Sequence, residues 1–342
     1  MTARLCVIDG DGIGREVVPV AVRLLRMLLP DLDVVPAEGG WECFRRRGVS
    51  IPAETLAKAR ACGAVLFGAV ASPARKVPGY RSAIVTLRNE LDTYANLRPV
   101  RGLPLPGSRA DVDLLIVREN TEGLYVGEEE GDEERAIARR VITRRASRRI
   151  ARRAYELARS SGRRRVTIAH KANILPLTCG LFRDTARQVA RDYPEIETDE
   201  MLVDALAYRL VRDPESFDVI LTTNLFGDIL SDITAAWCGG MGMAPSVNLG
   251  DGVVLAEPVH GAAPDIAAKG IANPLATVLS AALLLRFAWH EPALAASLEQ
   301  AVSQVLRAGS RTPDLAGPGE RAVSTEEMAN LVSQTLDGMR KE

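Results

Sequence analysis

Residues 222–232 read Thr-Thr-Asn-Leu-Phe-Gly-Asp-Ile-Leu-Ser-Asp. Asp228 and Asp232 are four apart, so on a helix both carboxylates project from one face. Like charges at that spacing repel unless a cation lies between them; the alternative is a solvated acidic face. The preceding segment, 217–224, has the composition of a buried strand. Such a strand carries the chain to the carboxyl edge of a sheet, where α/β proteins bind ligands. Hard oxygen donors at that edge suit Mg²⁺ or Mn²⁺ rather than zinc.

Three arginines stand out by context. Arg88 and Arg98 are ten apart, the second just before Pro99, and Arg118 closes an apolar run. Guanidinium at a strand end is costly unless paired, either with a protein carboxylate or with a substrate carboxylate held by two N–H bonds. Tyr125 follows a polar turn, as an amphipathic rim residue or as a proton donor. Lys171 follows the apolar run 166–169, at the same sheet edge as the aspartates. Its amine can titrate where guanidinium cannot, and a neighbouring cation lowers its pKa towards that of a base. Only five of the 43 basic residues are lysine, so a retained lysine carries information. His170, beside it, reads as a packed, hydrogen-bonded histidine rather than a ligand.

These residues need elements to position them. Apolar runs predict strands over 5–8, 64–67, 114–117, 166–169 and 219–222, with another strand after residue 33. Helical patterns fall at 14–29, 53–61, 148–160, 181–192 and 199–211, and the alternation argues for an α/β fold with part of its sheet parallel. The Pro/Gly-rich stretch 98–107 reads as a domain crossing, and Gly239-Gly-Met-Gly242 as a second break. The opening Asp9-Gly-Asp-Gly-Ile-Gly14 follows a strand and precedes a helix, but its spacing is one residue short of a dinucleotide fingerprint. It serves a tight turn, and the Rossmann reading is rejected.

Bulk properties narrow the class. A chain of 342 residues, 47% hydrophobic, holds two packed domains or one large one. Its formal charge of −1 gives no electrostatic case for nucleic acid or an anionic membrane. The arginine cluster 139–165 has helical spacing, follows the acidic run 128–134 and lacks interleaved aromatics, so pairing and a solvated face explain it. Five scattered cysteines without a CxxC argue for a reducing compartment and against a disulfide frame or zinc site. The longest apolar stretch, 275–285, is too short to span a bilayer, and no signal-peptide core opens the chain. A cytoplasmic protein with no nucleic-acid or membrane partner is expected.

Together, GDGIG, LRxELDxYANLRPV, RENTEGLY, HKAN, TTNLFGDILSD and the segment 257–274 resemble the metal-dependent β-decarboxylating dehydrogenases, a family that includes isocitrate, isopropylmalate, homoisocitrate and tartrate dehydrogenases. The resemblance runs from Gly10 to about Pro313. It implies an isopropylmalate/isocitrate dehydrogenase-like fold: two-domain α/β with a mixed sheet, not a Rossmann domain. A large, discontinuous cofactor-side domain would comprise 1–99 and 240–342. A small domain, 100–239, would carry the metal-binding helices and an arm that clasps a second subunit. A homodimer with a shared active site, or a tetramer, follows.

By that resemblance Arg88, Arg98 and Arg118 hold the malate-like part of a 2-hydroxy-tricarboxylate substrate. Asp228 and Asp232 bind Mg²⁺ or Mn²⁺ together with Asp204 from the other subunit. Lys171, also from across the dimer, accepts the hydroxyl proton as hydride leaves for NAD. The β-keto acid then loses CO₂, the metal stabilises the enolate, and Tyr125 protonates it. Cofactor contacts are implied for Ile13, Asn173, Glu257, His260, Gly261, Ala263, Asp265, Ile266 and Asn273. Asp265 favours NAD, because a carboxylate accepts from the ribose 2′-OH and repels a 2′-phosphate; its other reading is a cap on a helix starting at Ile266.

Substrate choice falls to 72–87, with Ser72, Arg81, Ser82, Val85 and Asn173 completing the implied substrate contacts. Ser82 matches the isocitrate pattern, but Ile84 stands where isocitrate enzymes place asparagine. Arg81 stands where isopropylmalate enzymes place an acid. Arg81 and Lys76 suit a distal carboxylate, and the Arg-Lys-Val-Pro-Gly run looks most like homoisocitrate dehydrogenase. Oxidation of homoisocitrate to 2-oxoadipate in lysine biosynthesis is therefore the expected reaction; 3-isopropylmalate and isocitrate are the alternatives, the apolar Val85 still admitting the first of these. An inactive regulatory subunit would generally lose the lysine, the tyrosine or a metal aspartate, and this chain keeps all of them.

Overall fold

The computed structural model describes residues 3–75 and 77–340, so Lys76 lies outside the described residues. The described strands, in chain order, are β1 (Arg4–Gly10), β2 (Asp33–Pro36), β3 (Ala64–Ala69), β4 (Ala95–Arg101), β5 (Asp113–Glu119), β6 (Glu129–Gly131), β7 (Ala136–Ala138), β8 (Arg165–His170), β9 (Glu197–Leu202), β10 (Val219–Thr222), β11 (Pro245–Leu249) and β12 (Val254–Pro258). Two compact units emerge. One comprises Met1–Thr93, Leu103–Ala110 and Cys238–Glu342; the other, Tyr94–Gly102 and Asp111–Trp237.

The first unit carries strands in the order β2-β1-β3-β12-β11. β1 runs parallel to β2 and β3, β3 parallel to β12, and only β11 opposes its neighbour. The helix Gly14–Leu28 buries Val17, Val18, Ala21, Leu24, Leu25 and Leu28, an apolar stripe at three- and four-residue spacing. The helix Leu275–Phe287 is mostly apolar and buried on every side, Leu275 through Leu285 without exception. It is a core helix; among the described residues none is long and apolar enough to cross a membrane.

Glycine at the opening turn answers to close approach. A Cβ on Gly12, whose φ is +54°, would lie 2.0 Å from the Ala262 carbonyl oxygen. Asp11 secures the same turn: its carboxylate accepts from the backbone N–H groups of Trp41 (2.7 Å), Glu42 (3.0 Å) and Ala71 (3.0 Å).

The second unit carries β4-β5-β10-β8-β9, antiparallel only between β4 and β5, plus the short hairpin β6/β7. Both units are thus mixed α/β, as the alternation of patterns predicts. The helix expected over 199–211 begins only at Val203, because Glu197–Leu202 pairs with β8 from Arg165↔Glu197 to His170↔Leu202. Being an edge strand, it needs no continuous apolar run, and so its sequence hides it. The helix Arg144–Ser160 starts four residues before the predicted 148, where the Thr143 hydroxyl accepts from the Ala146 N–H at 3.2 Å. Among the described residues, its arginines meet partners outside the acidic run 128–134. Arg149 stacks 4.2 Å from the Tyr94 ring centroid and Arg159 pairs with Glu195 at 2.7 Å, while Arg139 is the residue near Glu128 and Glu130.

Candidate active site

In the second unit, Asn96 and Arg118 are register partners on β4 and β5, and Arg98 is opposite Ile116. The two-residue period puts Arg98 and Arg118 diagonally on one face. Across that face lies the helix Asn224–Ala235, whose Asn224, Asp228, Ser231 and Asp232 form a polar stripe. Arg118, fully buried, bonds Asp228 Oδ1 through Nη1 and Asn224 Oδ1 through Nε (3.0 Å) and Nη2 (2.7 Å). Arg98 donates to Ser231 Oγ (2.5 Å), Asn96 Oδ1 (3.0 Å), Asp228 Oδ1 (3.2 Å) and Asp232 Oδ1 (3.4 Å). Gly227 makes this possible, since a Cβ there would stand 2.7 Å from Arg118 Cβ and Cγ.

Tyr125 joins the group. Its hydroxyl donates to Asp228 Oδ2 at 2.6 Å, and the Arg118 guanidinium sits 5.1 Å from its ring centroid. Arg98, Arg118, Tyr125, Asp228 and Asp232 therefore form one cluster, in which two cations offset two carboxylates. Partial burial raises the Asp232 pKa above the usual carboxylate range, against the pull of Arg98. A further positive charge beside it would offset that cost.

Lys171 lies just past β8 and donates to Asp204 at 2.5 Å, and this hydrogen bond holds the Asp204 carboxyl below its ordinary pKa. Asp204 is exposed, as are Asn173, Ile174 and Leu177. The protomer brings Lys171 to Asp204 rather than Asp204 to Asp228. Among the described residues, no three of His, Cys, Asp and Glu gather closely enough to hold a metal. His170 is buried, accepts from the Ala172 N–H at 3.1 Å, and has its pKa lowered by burial.

The first unit holds the remaining positions. Arg88 is buried against Glu257, bonding Oε1 through Nε (3.1 Å) and Nη2 (2.6 Å), and Asn248 donates to the same oxygen at 2.7 Å. Removing either partner of such a buried pair strands a charge, at a cost of about 3–5 kcal/mol. Ile13 packs with Ala263, Ile266 and Ala272, and its N–H donates to the Ala262 carbonyl at 2.9 Å. Glu16 draws the same loop in by accepting from the N–H groups of Ala268 and Gly270.

His260 Nδ1 lies 3.1 Å from the Gly261 carbonyl, which makes it the protonated nitrogen. Its Nε2 is buried without a hydrogen-bond partner among the described residues, and burial lowers the ring's pKa. Asn273 bonds Asp314 at 3.0 Å and accepts from the Leu275 N–H, a helix-start role. Gly261 and Asp265 are exposed, and 264–270 is a run of turns. No helix starts at Ile266, so the capping role for Asp265 is overturned.

The substrate segment is partly helical. Ser82 is the N-cap residue of the helix Ala83–Glu90, Ile84 is buried in the core, and Val85 packs partly against it. Ser72 is exposed at the start of the segment, and Arg81 is exposed with no ion-pair or hydrogen-bond partner among the described residues.

The donor chemistry fits the implied ligands. Asp228 and half-exposed Asp232 offer hard carboxylate oxygens four apart, the donor type that suits Mg²⁺ or Mn²⁺. His260 Nε2, an acceptor lacking a partner, and the exposed Asp265 carboxylate fit a nucleotide. Asn96, Asn224 and Ser231, which hold the arginines, escaped the sequence reading. Asn224 ends the strand-like run 217–224 in sequence, yet it opens the helix, and its spacing of four to Asp228 places it on the same face.

The isocitrate/isopropylmalate dehydrogenase family model matches residues 4–332. The isocitrate/homoisocitrate dehydrogenase of Thermus thermophilus is 54% identical over 95% of this chain and 97% of its own length. Two Methanocaldococcus jannaschii proteins, a homoisocitrate dehydrogenase and a 3-isopropylmalate/3-methylmalate dehydrogenase, are 44% and 48% identical; they align with 98% and 97% of this chain and each over 99% of its own length. Among solved structures, isocitrate dehydrogenase from Methylococcus capsulatus superposes with a TM-score of 0.92 at 41% identity, over 97% of this chain and 99% of that one. The chain belongs to the isocitrate/isopropylmalate dehydrogenase family, whose members are decarboxylating dehydrogenases of small hydroxy acids.

Proposed function

We propose that the protein carries out NAD-dependent oxidative decarboxylation of homoisocitrate to 2-oxoadipate. The observation that carries the substrate assignment is Arg81: an exposed guanidinium without a partner among the described residues, next to the N-cap of the helix Ala83–Glu90. A distal carboxylate satisfies it, whereas an isopropyl group leaves it unused. The names of the T. thermophilus protein and of one M. jannaschii relative support the same choice. Val85, half-buried and apolar, favours 3-isopropylmalate as the second reading.

In this reading Arg98, Arg118 and Arg88 each bind a substrate carboxylate or orient the groups that do. Asp228 and Asp232 hold Mg²⁺ or Mn²⁺, while His260, Asp265 and the 261–273 loop hold NAD. When bound, the nicotinamide accepts hydride and the divalent ion draws charge from the reacting oxygens. Lys171 takes the hydroxyl proton, and Tyr125 returns a proton to the carbon that CO₂ leaves. Lys171 and Asp204 reach a neighbouring subunit's site together; their pairing on an exposed surface beside Ile174 and Leu177 supports this role.

The test is kcat/KM on homoisocitrate, isocitrate and 3-isopropylmalate with Mg²⁺, using NAD and then NADP, for wild type and Arg81→Leu. Homoisocitrate with NAD should be preferred, and Arg81→Leu should lower that kcat/KM by roughly tenfold or more, the value of a charge-assisted hydrogen bond. A higher wild-type kcat/KM on 3-isopropylmalate would sink the assignment.

A further inference from the structure

Arg118 is a fully buried cation, and three helix residues at spacings of three and four surround it. Gly227 gives room for its methylenes, Asp228 takes Nη1, and Asn224 takes Nε and Nη2. Guanidinium only donates, so the Asn224 oxygen must face Arg118, and its amide nitrogen must face the Glu122 carbonyl, to which it donates at 3.1 Å. Asn224 itself is buried. It thus ties the arginine to the segment that leads into Tyr125.

We propose that Asn224 is a positioning residue for substrate recognition: it orients the Arg118 guanidinium through two acceptor bonds without neutralising it. This rests on the reading of Arg118 as a carboxylate ligand. A carboxylate at position 224 would offer the same two acceptor sites but would compete with the substrate for the charge. An amide oxygen fixes the plane of the guanidinium without adding a second negative charge to that of Asp228. Two bonds along the Nε/Nη2 edge hold the guanidinium plane before the substrate arrives, which lowers the ordering cost of binding.

A double-mutant cycle tests this, with wild type, Asn224→Ala, Arg118→Lys and the double variant. The full-length enzyme is assayed for kcat and for KM of NAD and of whichever hydroxy acid wild type prefers. Calorimetry without NAD gives the Kd of that hydroxy acid. Asn224→Ala should raise its KM and Kd roughly tenfold or more, and leave KM for NAD within about twofold. In the Arg118→Lys background the same change should cost less than about threefold, because the residues act as one unit.

Equal fold-changes in both backgrounds would overturn the proposal, as would an unchanged Kd in Asn224→Ala. Should Arg118→Lys itself leave Kd unaltered, the carboxylate reading of Arg118 fails, a result distinct from additivity. If Asn224→Ala does not fold, Asn224→Asp keeps the shape and both acceptor bonds. It should still weaken hydroxy-acid binding roughly tenfold through charge competition, and wild-type affinity would overturn the proposal.

Discussion

Two buried arginines are tolerable in the second unit because each finds both a carboxylate and a neutral acceptor. Arg118 has Asp228 and Asn224; Arg98 has Asp228, Asp232, Ser231 and Asn96. The carboxylates were legible as a helical i, i+4 pair, and the arginines as cations at strand ends. Their neutral partners were not, because asparagine and serine have no distinctive pattern until their donors are known. Lys171 is the residue whose role separates most cleanly. Lys171→Met removes the amine while leaving the 257–273 segment intact, so turnover should fall by at least about 100-fold, at the low end for a general base. NAD binding, followed by protein fluorescence, should stay within about twofold. Substantial residual turnover would rule out Lys171 as the base.

Among elements, those with strong periodicity were placed well and those defined by pairing were not. The strand over 219–222 and the helix over 14–29 read directly from apolar spacing. Glu197–Leu202 did not, since only its hydrogen bonds to Arg165–His170 make it a strand. That strand also shapes the alkaline behaviour of its unit. Tyr155, on the buried face of the helix Arg144–Ser160, bonds Thr198 of β9 at 2.8 Å, and burial pushes its hydroxyl up to about 12 from 10.0. The unfolded chain therefore releases this proton near pH 10 and the folded one near pH 12. The resulting stability is complete below pH 10 and is lost as pH rises towards 12, at most roughly 2–3 kcal/mol. Urea unfolding between pH 8 and 11.5 should show a shallower decline for Tyr155→Phe than for wild type above pH 10. Parallel curves would mean that Tyr155 ionises alike in both states.

At the scale of the molecule, two units each close their own core, and the first does so from both ends of the chain. Arg23 pairs with Glu326 at 2.6 Å, and the helix Thr325–Met339 buries Met328, Ala329, Val332 and Leu336. The second unit leaves Tyr208, Val211 and Ile229 exposed. Scattered apolar residues are ordinary, but these lie on the two helices that carry Asp204 and Asp228, where the proposed dimer would need its subunits to meet. Ile229→Asp should shift the assembly towards monomer by sedimentation and lower activity in proportion to the monomer fraction. A fully active monomer would remove the shared-site reading.

By itself the sequence determined the chemistry available: oxygen donors four apart on a helix, arginines at strand ends, and a lysine retained where arginine would not titrate. These follow from residue type and periodicity, which are local properties. Only the tertiary structure decided which cation meets which anion. Arg98, Arg118 and Tyr125 stand over 100 residues before the carboxylate they share, and Arg88 finds its partner 169 residues away at Glu257. Charge pairing depends on distance and burial rather than on order in the chain. The opening aspartate pair therefore sits in a charged cluster only because two strands bring buried guanidinium groups to its helix, and because Gly227 and Asn224 allow them to stay.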